Sequence, residues 1–341
     1  MSICAAILGC SGPALTAEEK AFFRRVRPWG FILFGRNVTG PDQVRALVAA
    51  LRETVDRSDA PVLIDQEGGR VQRLGPPHWR RYPPGRAYGD LYGEDPLARR
   101  EIARLGARLL AHDLAALGVN VDCLPVLDVP DPSGHEVIGD RAYAATPHEV
   151  AVLGRAAAEG LIAGGVLPVV KHIPGHGRAK ADSHLELPRV EASYADLDAR
   201  DFAPFKALSD MPMAMTAHVI YAAVDGRAPA TTSRKVMRQV VRGAIGFDGL
   251  VMTDDLSMKA LSGDFTRRAR RARAAGCDVV LHCNGSMAEM TSVVEGAGEL
   301  RGRAAARAKS ALARVAKAPE PFDAAEGRAR FDAAFEGRWA A

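Results

Sequence analysis

Several apolar segments of this chain end in residues that can accept, donate or hold a proton. LIDQEGGRVQRL closes one run with Asp65 and carries Arg73 further on. VVKHIPGHGRAKADSH ends another with Lys171 and His172, then supplies His176, Asp182 and His184. MTAHVIY ends in His218, GLVMTDDLSM in Asp254 and Asp255, and VVLHCN in His282 and Asn284. A carboxylate at the end of a hydrophobic strand, shielded from bulk water, can attack an anomeric carbon and form a covalent ester. Either Asp254 or Asp255 can do this. Aspartate is also a good helix cap, so the adjacent pair can divide nucleophilic and structural work.

Asp182 and His184 are two residues apart, so in an extended segment their side chains point the same way. An aspartate beside an imidazole orients the ring and stabilises its protonated form. His184 can then serve as general acid and base; alternatively the loop histidines only satisfy backbone groups. Gly175 and Gly177 permit tight backbone geometry around His176. His172, His176, His184, His218 and Asp182 include zinc-ligand types. However, the chain has no H-E-x-x-H and no C-x-x-C, and Ile173-Pro174-Gly175 breaks any helix that would align His172 with His176. No metal and no cofactor are expected. Arg73, Arg141 and Lys171 can donate to sugar hydroxyls while Asp65 accepts. They are also candidate ion-pair partners for Asp65, Asp182 and Asp254.

These residues need a scaffold that gathers strand ends. Mostly continuous apolar runs predict strands at Ile3–Leu8, Gly30–Phe34, Pro61–Asp65, Val119–Cys123, Leu167–His172, Met213–His218, Leu250–Asp254 and Asp278–His282. Unbroken rather than alternating hydrophobicity marks strands covered on both faces. Helical patterns lie between them, at Ala17–Val26 behind a Thr16/Glu19 capping box, and at Pro41–Val55. Others are expected at Pro96–Leu117, Glu149–Ala163, Leu197–Leu208, Ser233–Ala244, Thr266–Ala275 and Met287–Val315. Such alternation predicts an α/β fold, a single (β/α)8 TIM-type barrel over residues 1–341, with a C-terminal extension from about residue 318. An open doubly wound sheet is the alternative, weakened because no G-x-G-x-x-G follows the first strand. In a barrel, chemistry gathers at the C-terminal strand ends, where the polar residues fall.

Composition narrows the partners. The chain has 341 residues, 48% hydrophobic, with a formal net charge of +4. That near balance does not argue for nucleic acid. Basic residues Arg301, Arg303, Arg307, Lys309, Arg314 and Lys317 alternate with alanines and read as a solvated helix face. The five cysteines (Cys4, Cys10, Cys123, Cys277, Cys283) are irregularly spaced, as expected of reduced thiols in a cytosolic protein. The N-terminus lacks a basic n-region, and no apolar run approaches a membrane span. A cytoplasmic protein is expected, acting as a monomer on a small-molecule glycoside, without membrane or nucleic-acid partners.

Taken together, GFILFGRNV, LIDQEGGRVQRL, EVIGDRAY, KHIPGHGRAKADSH, MTAHVIY and GLVMTDDLSM resemble glycoside hydrolase family 3, from about Gly30 to Asn284. They are most similar to its single-domain bacterial β-N-acetylglucosaminidase branch. The resemblance implies a retaining double displacement. It puts the nucleophile on Asp254, the acid/base dyad on His184 with Asp182, and sugar contacts on Asp65, Arg73, Arg141, Lys171 and His172, with His176 supporting. It implies N-acetylglucosamine β-linked to 1,6-anhydro-N-acetylmuramic acid, a cell-wall turnover product, as substrate. A β-N-acetylglucosaminide phosphorylase and a β-glucosidase of the same family are the alternatives. One departure stands out: Arg178, with Lys180 beyond it, occupies a loop position that is acidic in many members. A basic loop there is expected to favour an anionic leaving group.

Overall fold

The computed structural model describes residues 2–91, 95–132, 134–183, 185–315 and 318–336. Eight parallel strands close into a barrel: β1 (Cys4–Gly9), β2 (Pro28–Leu33), β3 (Val62–Ile64), β4 (Val121–Asp122), β5 (Leu167–Ile173), β6 (Met213–Thr216), β7 (Leu250–Asp255) and β8 (Val279–His282). Each strand pairs with its sequence neighbours, and β8 returns to β1 with Ala6 opposite Val280. The expected (β/α)8 barrel is therefore the fold.

The strand pleat explains the unbroken apolar runs. Ala5, Ile7, Ile32, Leu63, Val121, Val169, Met215, Met252 and Leu281 fill the barrel interior. Their neighbours Ala6, Leu8, Phe31, Ile64, Val170, Ala214, Val251 and Val280 face the surrounding helices. Both faces of each strand are dry, so side chains of alternating direction are all apolar.

The first two helices form where the capping and periodicity place them. In Ala17–Val26, Thr16 accepts from the Glu19 amide while Glu19 accepts from the Thr16 amide. Pro41–Val55 buries Val44, Leu47, Val48 and Leu51 against the sheet. The segment expected as one helix over Leu197–Leu208 is instead broken: Tyr194–Asp196 and the wider turn Leu197–Asp201 precede Ala203–Ala207, where Pro204 sits in the first turn of a new helix. The expected continuous helix Met287–Val315 is also two helices, Met287–Ala297 and Gly302–Ala313. Tertiary pairing breaks it. Gly298 turns out at φ 64°, its carbonyl accepts from Ala5, and Leu300 donates to Ile3, so the chain crosses the bottom of the barrel.

Gly302–Ala313 then covers that end, with Ala308 and Ala311 against the barrel interior. Its basic residues are not all solvated as expected. Arg307 pairs with Asp248, and with Asp278 at 3.2 Å; Lys317 lies outside the described residues. Beyond it, Ala324–Ala334 packs on Pro96–Ala115, burying Phe331 beside Tyr82, Tyr88 and Phe335. Among the described residues, no helix is long and apolar enough to cross a membrane.

Candidate active site

Where β3 ends, Asp65 emerges at the barrel mouth. The chain folds into a small hairpin, Gln66–Gly68 against Val71–Gln72, which carries Arg73 back over Asp65. The Arg73 guanidinium donates to Asp65 Oδ2 at 3.1 Å, and Lys171 Nζ donates to Asp65 Oδ1 at 3.0 Å. Lys171 also lies 2.6 Å from Glu67 Oε1, while Arg141 forks onto both Glu67 oxygens at 2.8 Å each. Arg141 is thus the partner of Glu67 rather than of the aspartates considered from sequence. Burial by itself would raise the pKa of Asp65 and Glu67. The neighbouring cations outweigh it, holding Asp65 below the usual carboxylate range and Glu67 down to about 2. Burial would likewise discharge Lys171, but Asp65 and Glu67 keep its pKa above the ordinary lysine value. Glu67 was missed in the sequence, although its spacing of two from Asp65 in an extended segment is the relevant signal.

Asp128 was also missed, though it interrupts the apolar run LPVLDVP much as Asp65 ends its own. Fully buried, it lies 2.6 Å from His172 Nδ1 and accepts from the backbone amides of His172 at 3.2 Å and His176 at 2.6 Å. Burial pushes the pKa of Asp128 up, but His172 pulls it below normal, so the carboxylate holds the ring by a charge-assisted hydrogen bond. His176 Nε2 lies 3.2 Å from Ser183 Oγ, and its Nδ1 is buried without a hydrogen-bond partner. Burial, then the neighbouring His172, lower its pKa to about 4, so the ring is neutral at pH 7. His218 does not line the cavity. Its Nε2 donates to the Asp255 carbonyl at 3.0 Å and its Nδ1 accepts from Thr231 at 2.7 Å, which fixes the backbone under the aspartate pair.

The two aspartates divide as the sequence allowed. Asp255 is taken up by the loop it starts: Oδ1 accepts from the Ser257 amide at 3.0 Å and the Cys283 amide at 3.2 Å, while Oδ2 accepts from the Ser257 hydroxyl. Asp254 accepts the Asp255 amide at 2.8 Å, and both aspartates line a cavity of about 220 Å³. Asp65, Arg73, Arg141, Lys171, His172 and His176 line that same cavity, with Glu67. Residues from four strand ends and the loops that follow them have therefore met in one chamber. Among the described residues, no cluster of three or more His, Cys, Asp and Glu is placed to hold a metal ion.

The loop after β5 lies against the loop after β4. Gly175 has φ 128°, and its carbonyl accepts from the Tyr221 hydroxyl at 2.5 Å. At Gly177 a Cβ would sit 1.8 Å from the Val129 carbonyl oxygen, so only glycine permits this approach. The Asp131 backbone amide donates to the Gly177 carbonyl at 3.1 Å and the His135 backbone amide to that of Ala179 at 2.7 Å. Arg178 corrects the expectation of a basic loop facing the leaving group. Its Nε binds Asp201 at 2.8 Å and its NH1 binds Asp131 at 3.2 Å, so its charge ties the two loops together. Lys180 is exposed. Ser183 lines the cavity, Asp182 is half-buried, and His184 lies outside the described residues.

A closed barrel with a small, charged chamber at its C-terminal mouth has the architecture of an enzyme, and the comparisons give its class. The chain matches the model of the glycosyl hydrolase family 3 N-terminal domain over residues 14–318. It belongs to that family and is a glycoside hydrolase. A β-hexosaminidase of Methylococcus capsulatus is 43% identical over 277 residues, 80% of each chain. One from Alkalilimnicola ehrlichii is 41% identical over 282 residues, 82% of this chain and 80% of the relative. Among solved structures, NagZ from Neisseria gonorrhoeae in complex with N-trifluoroacetyl-D-glucosamine is 32% identical with a TM-score of 0.84, over 98% of this chain and 96% of that one.

Proposed function

We propose that the chain is a retaining β-N-acetylhexosaminidase. It releases terminal β-linked N-acetylglucosamine, with 1,6-anhydro-muropeptides of cytoplasmic cell-wall recycling as substrate. Residues 1–341 act as one catalytic domain and as a monomer. The observation that carries this reading is the division of the aspartate pair. Both line a chamber of about 220 Å³, but both carboxylate oxygens of Asp255 are taken up by hydrogen bonds from Ser257 and Cys283.

Asp65, held by Arg73 and Lys171, offers a fixed carboxylate to sugar hydroxyls. Arg73, Arg141, Lys171 and His172 offer N–H groups to the hydroxyls and the acetamido group. Their ion pairs set the geometry before substrate arrives, so little reorganisation is needed during reaction. Asp254 attacks the anomeric carbon as the C–O bond to the leaving group breaks. Protonated His184 gives its proton to the departing oxygen. Neutral His184 then takes a proton from water, whose oxygen attacks the glycosyl ester and frees Asp254. Asp182 orients His184 throughout, and Ser183, between them in sequence, reaches the cavity wall.

The test is release of nitrophenol from 4-nitrophenyl N-acetyl-β-D-glucosaminide, with and without EDTA, by wild type and Asp254→Ala. Chelator-resistant turnover that is lost in the folded variant is the expected result. Greater turnover of the matching glucoside would make the chain a β-glucosidase, and N-acetylglucosamine 1-phosphate formed in phosphate buffer would make it a phosphorylase. Activity surviving in Asp254→Ala would remove the nucleophile assignment.

A further inference from the structure

A second cavity, of about 280 Å³, opens beside the first and plays no part in the steps above. Its wall includes Arg227, Arg268 and Arg271, with Leu187, Pro229 and Leu261, and no carboxylate. Two other cavities set acids among their cations. The chamber at the mouth sets Asp65 and Glu67 against its cations, and the groove under the barrel sets Asp210 and Asp248 beside Arg307 and Arg314. Here, among the described residues, Arg227 and Arg271 are exposed and make no ion pair. Arg268 is pinned by backbone instead: its Nε donates to Gly263 O at 2.9 Å and its NH1 to Leu256 O at 2.6 Å. Asp255, Asp264 and Glu289 act on it only through space, and Asp225 spends an oxygen on the Arg227 amide. Three guanidinium groups around one concave, partly apolar wall repel one another unless an anion joins them.

The cavity's position gives it a use. Met258 lines the sugar chamber and Ala260 lines the arginine cavity. Two residues of chain span at most roughly 7 Å, so the two spaces share a thin wall. The Ala260 amide also donates to the carbonyl of Ser183, another chamber residue, at 3.3 Å. We infer that the arginine cavity is an aglycone subsite that binds a carboxylate carried by the leaving half of the substrate. The inference rests on the glycosidase reading and adds what that reading lacks, a place for a negatively charged leaving group. Leu187, Pro229 and Leu261 give the apolar part of such a group a surface, while Arg227 and Arg271 reach its charge. The subsite binds in ground and transition states alike, so it acts on kcat/KM through KM.

The test uses N-acetylglucosaminyl-β-1,4-1,6-anhydro-N-acetylmuramic acid and the same disaccharide with its lactyl carboxyl converted to an amide. Wild type is compared with Arg227→Glu/Arg271→Glu, and with Arg227→Gln/Arg271→Gln in case reversal of charge prevents folding. Wild type is expected to prefer the acid by about tenfold in kcat/KM, less at high salt. The variants are expected to lose that preference through a higher KM for the acid alone, with the amide and the nitrophenyl glycoside cleaved as by wild type. An acid preference unchanged in folded variants, or absent from wild type, overturns the inference. So does calorimetry in which inorganic phosphate occupies the cavity while the acid and amide are cleaved alike, since that marks a free-anion site. If wild type cleaves none of these glycosides, the glycosidase reading has failed. The cavity is then judged by calorimetry with N-acetylmuramic acid: binding lost in the variants supports a carboxylate site, and no binding to wild type overturns it.

Discussion

The two ends of the barrel both carry buried charge, and they use it differently. At the bottom, Asp278 accepts from the Val251 amide at 2.9 Å, from Arg242 at 2.7 Å and from Arg307 at 3.2 Å. Every one of these bonds ties one structural element to another: β7, the helical segment Val236–Ala244 and the covering helix Gly302–Ala313. At the mouth, Asp65, Glu67, Lys171 and Arg141 form a network of comparable closeness, but its members also line an open chamber. The mouth network borders a cavity, whereas the bottom network is spent on the fold. A buried ion pair alone therefore does not mark a site. Facing a cavity at the C-terminal strand ends does.

The sharpest way to break this contrast is at the proposed nucleophile. Asp254→Ala should cut kcat/KM by roughly 10⁴-fold or more while leaving the melting temperature nearly unchanged, because catalytic groups acting as a unit fail together. Steady-state kinetics beside a thermal melt checks both. Next, Lys171→Met removes the cation shared by Asp65 and Glu67. It should cost roughly 3–5 kcal/mol of stability and also abolish most activity, since two buried carboxylates lose a partner. At the other end, Asp278→Ala should cost a comparable ~3 kcal/mol in urea denaturation, yet leave kcat and KM at wild-type values where the protein is folded. Equal activity losses from Lys171→Met and Asp278→Ala would erase the distinction between the ends.

Two smaller effects sharpen it. His176 has a folded pKa of about 4, below its unfolded value of 6.5, because burial disfavours the charged ring. Its contribution is present in full above pH 6.5 and is lost as pH falls toward 4, a span of about 3 kcal/mol. The buried His218, also shifted down, adds in the same direction. Denaturation midpoints between pH 8 and 4 should drop steeply for wild type and less for His176→Asn. Finally, Arg178→Ala unties the loop after β5 from Asp131 and Asp201. A loss of roughly tenfold in kcat/KM is expected, from misplacement of the following loop, with the ratio of acidic to neutral leaving groups unchanged. A changed ratio would return Arg178 to the leaving-group site.

Much of this molecule follows from sequence alone. Each strand of the barrel is a local apolar run, and a parallel sheet with helices outside and packed side chains inside has no wet face to impose alternation. Polar residues ending these runs gather toward the mouth, which is why Asp65, Lys171, His172 and Asp254 were legible as chamber residues, whereas His218, ending another run, bonds Thr231 and the Asp255 carbonyl instead. What the sequence left open is pairing across long separations. Whether Arg141 meets Asp65 or Glu67, whether Arg178 faces a ligand or Asp201, and which aspartate of the pair is held by Ser257 and Cys283 depend on loops brought together by barrel closure. The break at Gly298 has the same origin, because Ala5 and Ile3 supply its hydrogen bonds from the far end of the chain. Hydrophobic periodicity is a property of neighbouring residues and can be read along one segment. The partner of a charge is chosen by three-dimensional proximity and desolvation, which only the closed barrel decides.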